Sequence, residues 1–386
     1  MKKKSSLIII ISIIIAIILG LYFQSFVNNI SFIGTIYINL LKFMIFPIIF
    51  TSIIVTIHNS KKNNNKLLIK TVLLFILMFV ISFLLTSLIV YLINPTKGYS
   101  FNNIAWTGEI TKINYSEVLV NLFPSSISNN SLFFIIILAI FIGSVASKVE
   151  NGESVIKVVD GIKNIFFKIL EYIMYLTPLA IIALLGSSIA NYGNMIFDVG
   201  GKYILMAYLC SVIIMLLVMI LPVWLIGGIN PITYVKKIVK VWLMTISTCS
   251  SAATLPTTIK VCNDELKIPS RITNITVPLG CTIHMCGGAV SFALLGIFCS
   301  QLYGIDITIT KYIMMLFSAT VINMAAPGIP NGGIVIGASY LSLFGIPLSF
   351  MGFYSSIYKL LDMSYTTLNV TGDITANVIL NKTIKK

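Results

Sequence analysis

The chain has 386 residues, of which 57% are hydrophobic and only 10% charged. That composition excludes a water-soluble globular protein and indicates an integral membrane protein. The formal charge of +14 does not call for a nucleic-acid partner, because the lysines gather at segment ends, as in HNSKKNNNK (58–66), TYVKKIVKV (233–241) and the terminal NKTIKK. This is the positive-inside bias that orients membrane segments.

In chain order, apolar runs long enough to span fall near 5–23, 30–57, 67–93, 131–147, 163–190, 200–228, 272–303 and 348–380. The first, MKKKSSLIIIISIIIAIILGLYF, has a basic start, but its apolar run is too long for a signal peptide and lacks a small-residue cleavage site, so it reads as a retained helix. The pattern predicts an all-α polytopic bundle, a single membrane domain over 1–386, with membrane lipid around it. Placing the N-terminus and the loops 58–66, 148–157 and 233–240 inside yields eight crossings with both termini cytoplasmic, in the plasma membrane. The Asn/Ser-rich, lysine-poor stretch 95–130 then lies outside. The six cysteines, Cys210, Cys249, Cys262, Cys281, Cys286 and Cys299, have no disulfide-scaffold spacing and read as core packing.

Two hydrophobic stretches are interrupted midway by small and helix-breaking residues: ISTCSSAATLPTTIKVC (246–262) and INMAAPGIPNGGIVIG (322–337). Non-helical backbone at membrane depth is tolerated only inside protein or beside a wet cavity, so each reads as a re-entrant helical hairpin. Each is followed by a long helix with polar residues in its middle, VPLGCTIHMCGG (277–288) after the first and LLDMSYTTLNVTGD (360–373) after the second. Hairpin then helix, repeated once, marks an inverted repeat around a binding site.

In the last segment Asp362, Thr366, Asn369 and Asp373 stand at i, i+4, i+7 and i+11, one stripe along one helix face. Ionisable groups deep in a membrane mark ligand, ion or proton sites. Eleven helical residues place the two aspartates about 16 Å apart, too far to share a proton as a catalytic dyad. No His-Glu-x-x-His, Gly-x-Ser-x-Gly or P-loop occurs either. An intramembrane enzyme and a channel therefore rank below a transporter. A carboxylate for an ammonium, together with hydroxyls and an amide for a carboxylate, suits a zwitterionic amino acid carried with a cation.

The motifs TCSSAATLP, PLGCTIHMCGG, PGIPNGG and LDMSYTTLNVTGD, in this order, resemble those of the dicarboxylate/amino acid:cation symporters, the glutamate-transporter family. The resemblance implies a homotrimer working by an elevator mechanism, with a scaffold of about 1–66 and 96–199 and a moving transport core of about 67–95 and 200–386. It further implies that Asp362 holds the substrate amino group with support from Thr366, that Asn369 and Ser251 hold the α-carboxylate, and that Ile329 closes the second hairpin over the site. One sodium site would use the Asp373 carboxylate with backbone carbonyls of Gly280, His284 and Asn369. A second would use carbonyls at Thr282, Asn323, Met324 and Ala326. No cofactor is implied beyond the coupling ion, sodium or a proton.

The family's third sodium site draws on an NMDGT motif that here reads HMCGG, and the aligned FILMF (75–79) has no hydroxyl, so that site is expected to be absent. His284 is left three readings: core packing, proton exchange, or a transition-metal ligand with Cys286 and Cys281. Members carrying glutamate or aspartate use an arginine on the last helix or at the first hairpin tip. Those positions are Tyr365 and Cys249 here, and Gly288 replaces the motif's threonine. This favours a roomier pocket beside Tyr365 and a neutral amino acid carried with sodium. The alternative is a proton-coupled symporter of acidic amino acids or dicarboxylates, with Lys359 standing in for arginine.

Overall fold

The computed structural model describes residues 2–62, 66–99, 131–146, 148–193, 195–324, 332–348 and 350–384, and every regular element among them is helical. The first half contributes α1 (Lys2–Tyr22), α2 (Gln24–Lys62), α3 (Lys66–Ile93), α4 (Ser131–Ala146), α5 (Gly152–Met174) and α6 (Thr177–Tyr192). Continuous apolar sequence in lipid must satisfy its own backbone, and a helix does so within one segment.

Both α1 and α2 pack on α6, and α2 also packs on α4 and α5. At Gly20 a Cβ would lie 2.8 Å from the Gly186 carbonyl oxygen, so α1 and α6 meet backbone to backbone. Small residues permit this approach, which dispersion rewards where water provides no hydrophobic drive. Across the same bundle the Tyr37 hydroxyl lies 3.0 Å from Thr177 Oγ1, a buried polar pair joining α2 to the first turn of α6. Pro178 in that first turn has no N–H to continue the preceding helix, and α5 and α6 are bent by 56° at the break.

The second half begins with α7 (Met195–Leu225), whose ladder widens into a π turn at Met215–Ile220 just before Pro222. There the missing proline N–H frees a carbonyl. Next comes α8 (Pro231–Thr248), started by Asn230, whose side chain accepts from the Ile232 and Thr233 N–H groups at 3.0 and 3.4 Å. It ends at Cys249 in the left-handed region, φ 48°, and Ser250 then caps α9 (Ser251–Lys260) by accepting from the Ala253 N–H at 3.3 Å. Two residues thus separate the helices of the first broken segment, and α8 and α9 pack on each other.

After it, α10 (Ser270–Ile283) and α11 (Cys286–Leu302) are separated by extended backbone at His284. The chain continues with α12 (Ile309–Met324), α13 (Gly332–Leu343) and α14 (Met351–Ile384). Residues 325–331 of the second broken segment, Ala326 and Ile329 among them, lie outside the described residues, as does most of the 95–130 stretch.

The core sits around α11 and α14. The first is apolar on every face and buried nearly throughout, packing on α3, α12, α13 and α14. The second touches α6, α7, α8, α10 and α11. Among the described residues three helices are long and apolar enough to cross a membrane, Leu67–Ile93, Met195–Leu225 and Ser270–Leu302, and the bent pair Gly152–Ile173 with Thr177–Asn191 makes a fourth. Their outer faces expose leucines such as Leu73, Leu84 and Leu88 on α3 and Leu205 and Leu216 on α7, as lipid contact requires. All six cysteines are free and buried.

Candidate substrate and cation site

Four chain segments converge on one cavity of about 60 Å³. The junction of α8 and α9 supplies Cys249 and Ser251, α11 with the preceding Met285 supplies Gly288, Ser291 and Phe292, and α12 with α13 supplies Asn323, Gly333 and Ile336. The last helix supplies Tyr358, Asp362, Tyr365, Thr366 and Asn369. Five of the expected substrate residues, Ser251, Asp362, Tyr365, Thr366 and Asn369, therefore share one buried space. Asp373, the fourth member of the stripe, does not line it.

The polar groups in this cavity are held by specific contacts. Thr366 Oγ1 donates to Asp362 Oδ1 at 3.1 Å, which orients a carboxylate only 7% exposed. Asn369 Oδ1 accepts from the Gly287 N–H at 2.7 Å. That N–H is one of the orphan donors in the first turn of α11, so the contact completes a helix start and leaves the Asn369 amide N–H groups for other partners. A Cβ on Gly287 would lie 2.2 Å from the Tyr365 carbonyl oxygen, so glycine is what lets α11 begin this close to α14. The helix starts at Ser251 of α9 and Cys286 of α11 both lie by the cavity, and the positive ends of their dipoles favour an anionic group there.

Two features change the pocket expected from sequence. The space opened by Gly288 is occupied rather than roomy, because the Asn323 amide oxygen lies 2.1 Å from where a Cβ would stand. No arginine is among the residues that line the cavity, and Lys359, about one turn before Asp362 on α14, is not among them either. Tyr358 reaches across to the start of α13, its hydroxyl oxygen 1.9 Å from a Cβ built on Gly333.

Next to the cavity, Asp373 Oδ1 is 2.8 Å from His284 Nδ1, with both side chains buried, and His284 Nε2 is 3.0 Å from Cys286 Sγ. Phe75 of α3 stacks on the imidazole at 4.4 Å and 14°. Of the residues expected to place carbonyls around sodium, Gly280 accepts the His284 N–H at 2.9 Å as the cap of α10, Thr282 sits on an exposed face of the same helix, and Asn323 and Met324 end α12. The transition-metal reading of His284, Cys281 and Cys286 is not supported: among the described residues no group of three or more His, Cys, Asp or Glu side chains is arranged to hold a metal. Phe75 and Asn323 entered the sequence reading as a missing hydroxyl and as a backbone carbonyl, and their side-chain roles had no local signal.

The profile of the sodium:dicarboxylate symporter family matches residues 6–383. The chain belongs to the sodium:dicarboxylate symporter family. Among its relatives, a proton/sodium-glutamate symport protein of Geobacillus stearothermophilus is 26% identical over 393 residues, covering 97% of this chain and 93% of that protein. A proton/glutamate-aspartate symporter of Bacillus subtilis (strain 168) is 24% identical over 403 residues, 99% and 95% of the two chains. Excitatory amino acid transporter 1 of Mus musculus is 29% identical over 283 residues, 72% of this symporter and 51% of the mouse protein. The symporter is a membrane transporter, not an enzyme.

Proposed function

We propose that this symporter carries an acidic amino acid or a related dicarboxylate across the plasma membrane, driven by a cation. The observation that carries the reading is the distribution of charge and donors around the cavity. Asp362 suits the substrate ammonium, while Ser251, the Asn369 amide and the starts of α9 and α11 suit its α-carboxylate. The Asn323 amide beside Gly288 suits a second carboxylate, and Lys359 stands about one turn before Asp362 on the same helix.

The neutral-substrate expectation gives way here. It rested on the absence of an arginine and on room left by Gly288, and Asn323 fills that room. Relatives aligned over more than nine-tenths of their length, a glutamate symport protein and a glutamate-aspartate symporter, support the same side.

Eight crossings with cytoplasmic termini, a homotrimer and an elevator motion belong to the same proposal. Its support is the packing: α1, α2, α4, α5 and α6 pack among themselves, α3 packs on α10, α11 and α14, and the two groups meet where α6 touches α14 and α2 touches α13. The test is a thermal-shift and competition panel of aspartate, glutamate, succinate, serine and alanine, with sodium or choline, followed by flux into proteoliposomes. Stabilisation by acidic substrates and saturable uptake are expected. Stabilisation by serine or alanine alone returns the neutral reading, and ion current without substrate uptake indicates a channel.

A further inference from the structure

The carboxylate to which the family resemblance assigns a sodium ion already has a partner. We propose that the His284 imidazole takes the place of that ion at Asp373, so that this site holds a side chain of the protein instead of a transported cation. The proposal rests on reading the chain as a cation-coupled symporter and narrows which of its sites can take up an ion.

The argument is one of space and donor type. Asp373 Oδ1 is engaged by His284 Nδ1 at 2.8 Å, and the two side chains are 2% and 0% exposed. On the other sides of the pair the packing is equally close. A Cβ on Gly280 would lie 2.2 Å from Asp373 Oδ1, and one on Gly372 would lie 2.3 Å from His284 Cε1. Phe75 covers a ring face at 4.4 Å, and the Cys286 sulfur lies 3.0 Å from Nε2. A hard cation needs a shell of oxygen ligands, and what surrounds the Asp373 oxygen here includes an imidazole nitrogen with an aromatic ring and a thiol behind it.

The exchange has an energetic rationale. A buried carboxylate without a partner is expensive, and in a cation-binding site the ion supplies that partner. The hydrogen bond between Nδ1 and Oδ1, whichever of the two carries the proton, is a permanent partner, so Asp373 stays satisfied whether or not sodium is present. The two glycines are what make room for the ring and for the carboxylate. Sodium held by backbone carbonyls elsewhere is untouched by this reasoning, so the test has to count ions.

By linkage, the slope of log substrate affinity against log sodium concentration equals the number of sodium ions taken up with the substrate. Affinity is measured by calorimetry at constant ionic strength, with choline replacing sodium. His284→Ser, which removes the ring, and His284→Asn, which keeps an amide donor and adds an oxygen, are each expected to raise the slope by about one ion. An unchanged slope in a folded, substrate-binding variant overturns the proposal. A second measurement needs neither variant nor substrate. The chain has two histidines, so in protein labelled with nitrogen-15 histidine the His284 ring resonances can be followed with His58 as internal reference. They are expected to stay in place when sodium replaces choline, and a saturable sodium-induced shift of His284 alone overturns the proposal. This arm decides the question even if no acidic amino acid binds, the result that would instead remove the proposed function.

Discussion

Replacing Asp362 by asparagine tests the centre of the substrate site. The amide has nearly the shape of the carboxylate, and its oxygen accepts the Thr366 hydroxyl that now donates to Asp362 Oδ1 at 3.1 Å. What disappears is the negative charge at a position 7% exposed. An ammonium about 4 Å from a carboxylate, at an effective dielectric near 20, is worth about 4 kcal/mol. At about 1.4 kcal/mol per decade, Asp362→Asn is expected to weaken aspartate or glutamate about a thousandfold. Protein stability should hold or rise, because a buried charge is removed and its hydrogen bond kept. Calorimetry provides the affinity, and succinate is the control: it has both carboxylates and no ammonium, so its affinity should not fall. A loss for glutamate of less than about tenfold, or an equal loss for succinate, would show that Asp362 does not hold the amine.

Three further outcomes are expected. Lys359→Met should cost acidic substrates about 1.5–3 kcal/mol, the value of a charge-assisted hydrogen bond, and leave alanine unaffected in competition binding; equal losses for both would place Lys359 in the scaffold of the pocket. Gly287→Ala puts a methyl 2.2 Å from the Tyr365 carbonyl oxygen and should destabilise the protein by about 1–3 kcal/mol. An unchanged melting temperature in detergent would contradict that packing. Trp242→Phe deletes the bond from Nε1 to Thr371 Oγ1, 2.9 Å long, that ties α8 to α14. A loss of about 1 kcal/mol is expected, and the melting temperature measures it.

Much of the architecture was legible before any coordinates. Uninterrupted apolar runs in lipid leave helix as the only way to satisfy each backbone group, so the positions of α3, α7 and α14 followed from composition and length. The small and helix-breaking residues of 246–262 announced an interruption, which falls at Cys249 and Ser250 while Pro256 lies inside α9, and the helical period placed Asp362, Thr366 and Asn369 on one face. These are properties of a single segment, carried by its own residues. Which groups meet across segments is a different matter. His284 and Asp373 are 89 residues apart, and nothing in either segment's periodicity says that the break between α10 and α11 swings an imidazole onto the last helix. Nor does it say that Asn323 fills the space above Gly288. A helix pattern shows which face is polar, but the identity of the partner depends on packing angles and close approaches summed over the whole bundle. The tertiary structure alone decided whether the Asp373 carboxylate faces a histidine or an open site for an ion.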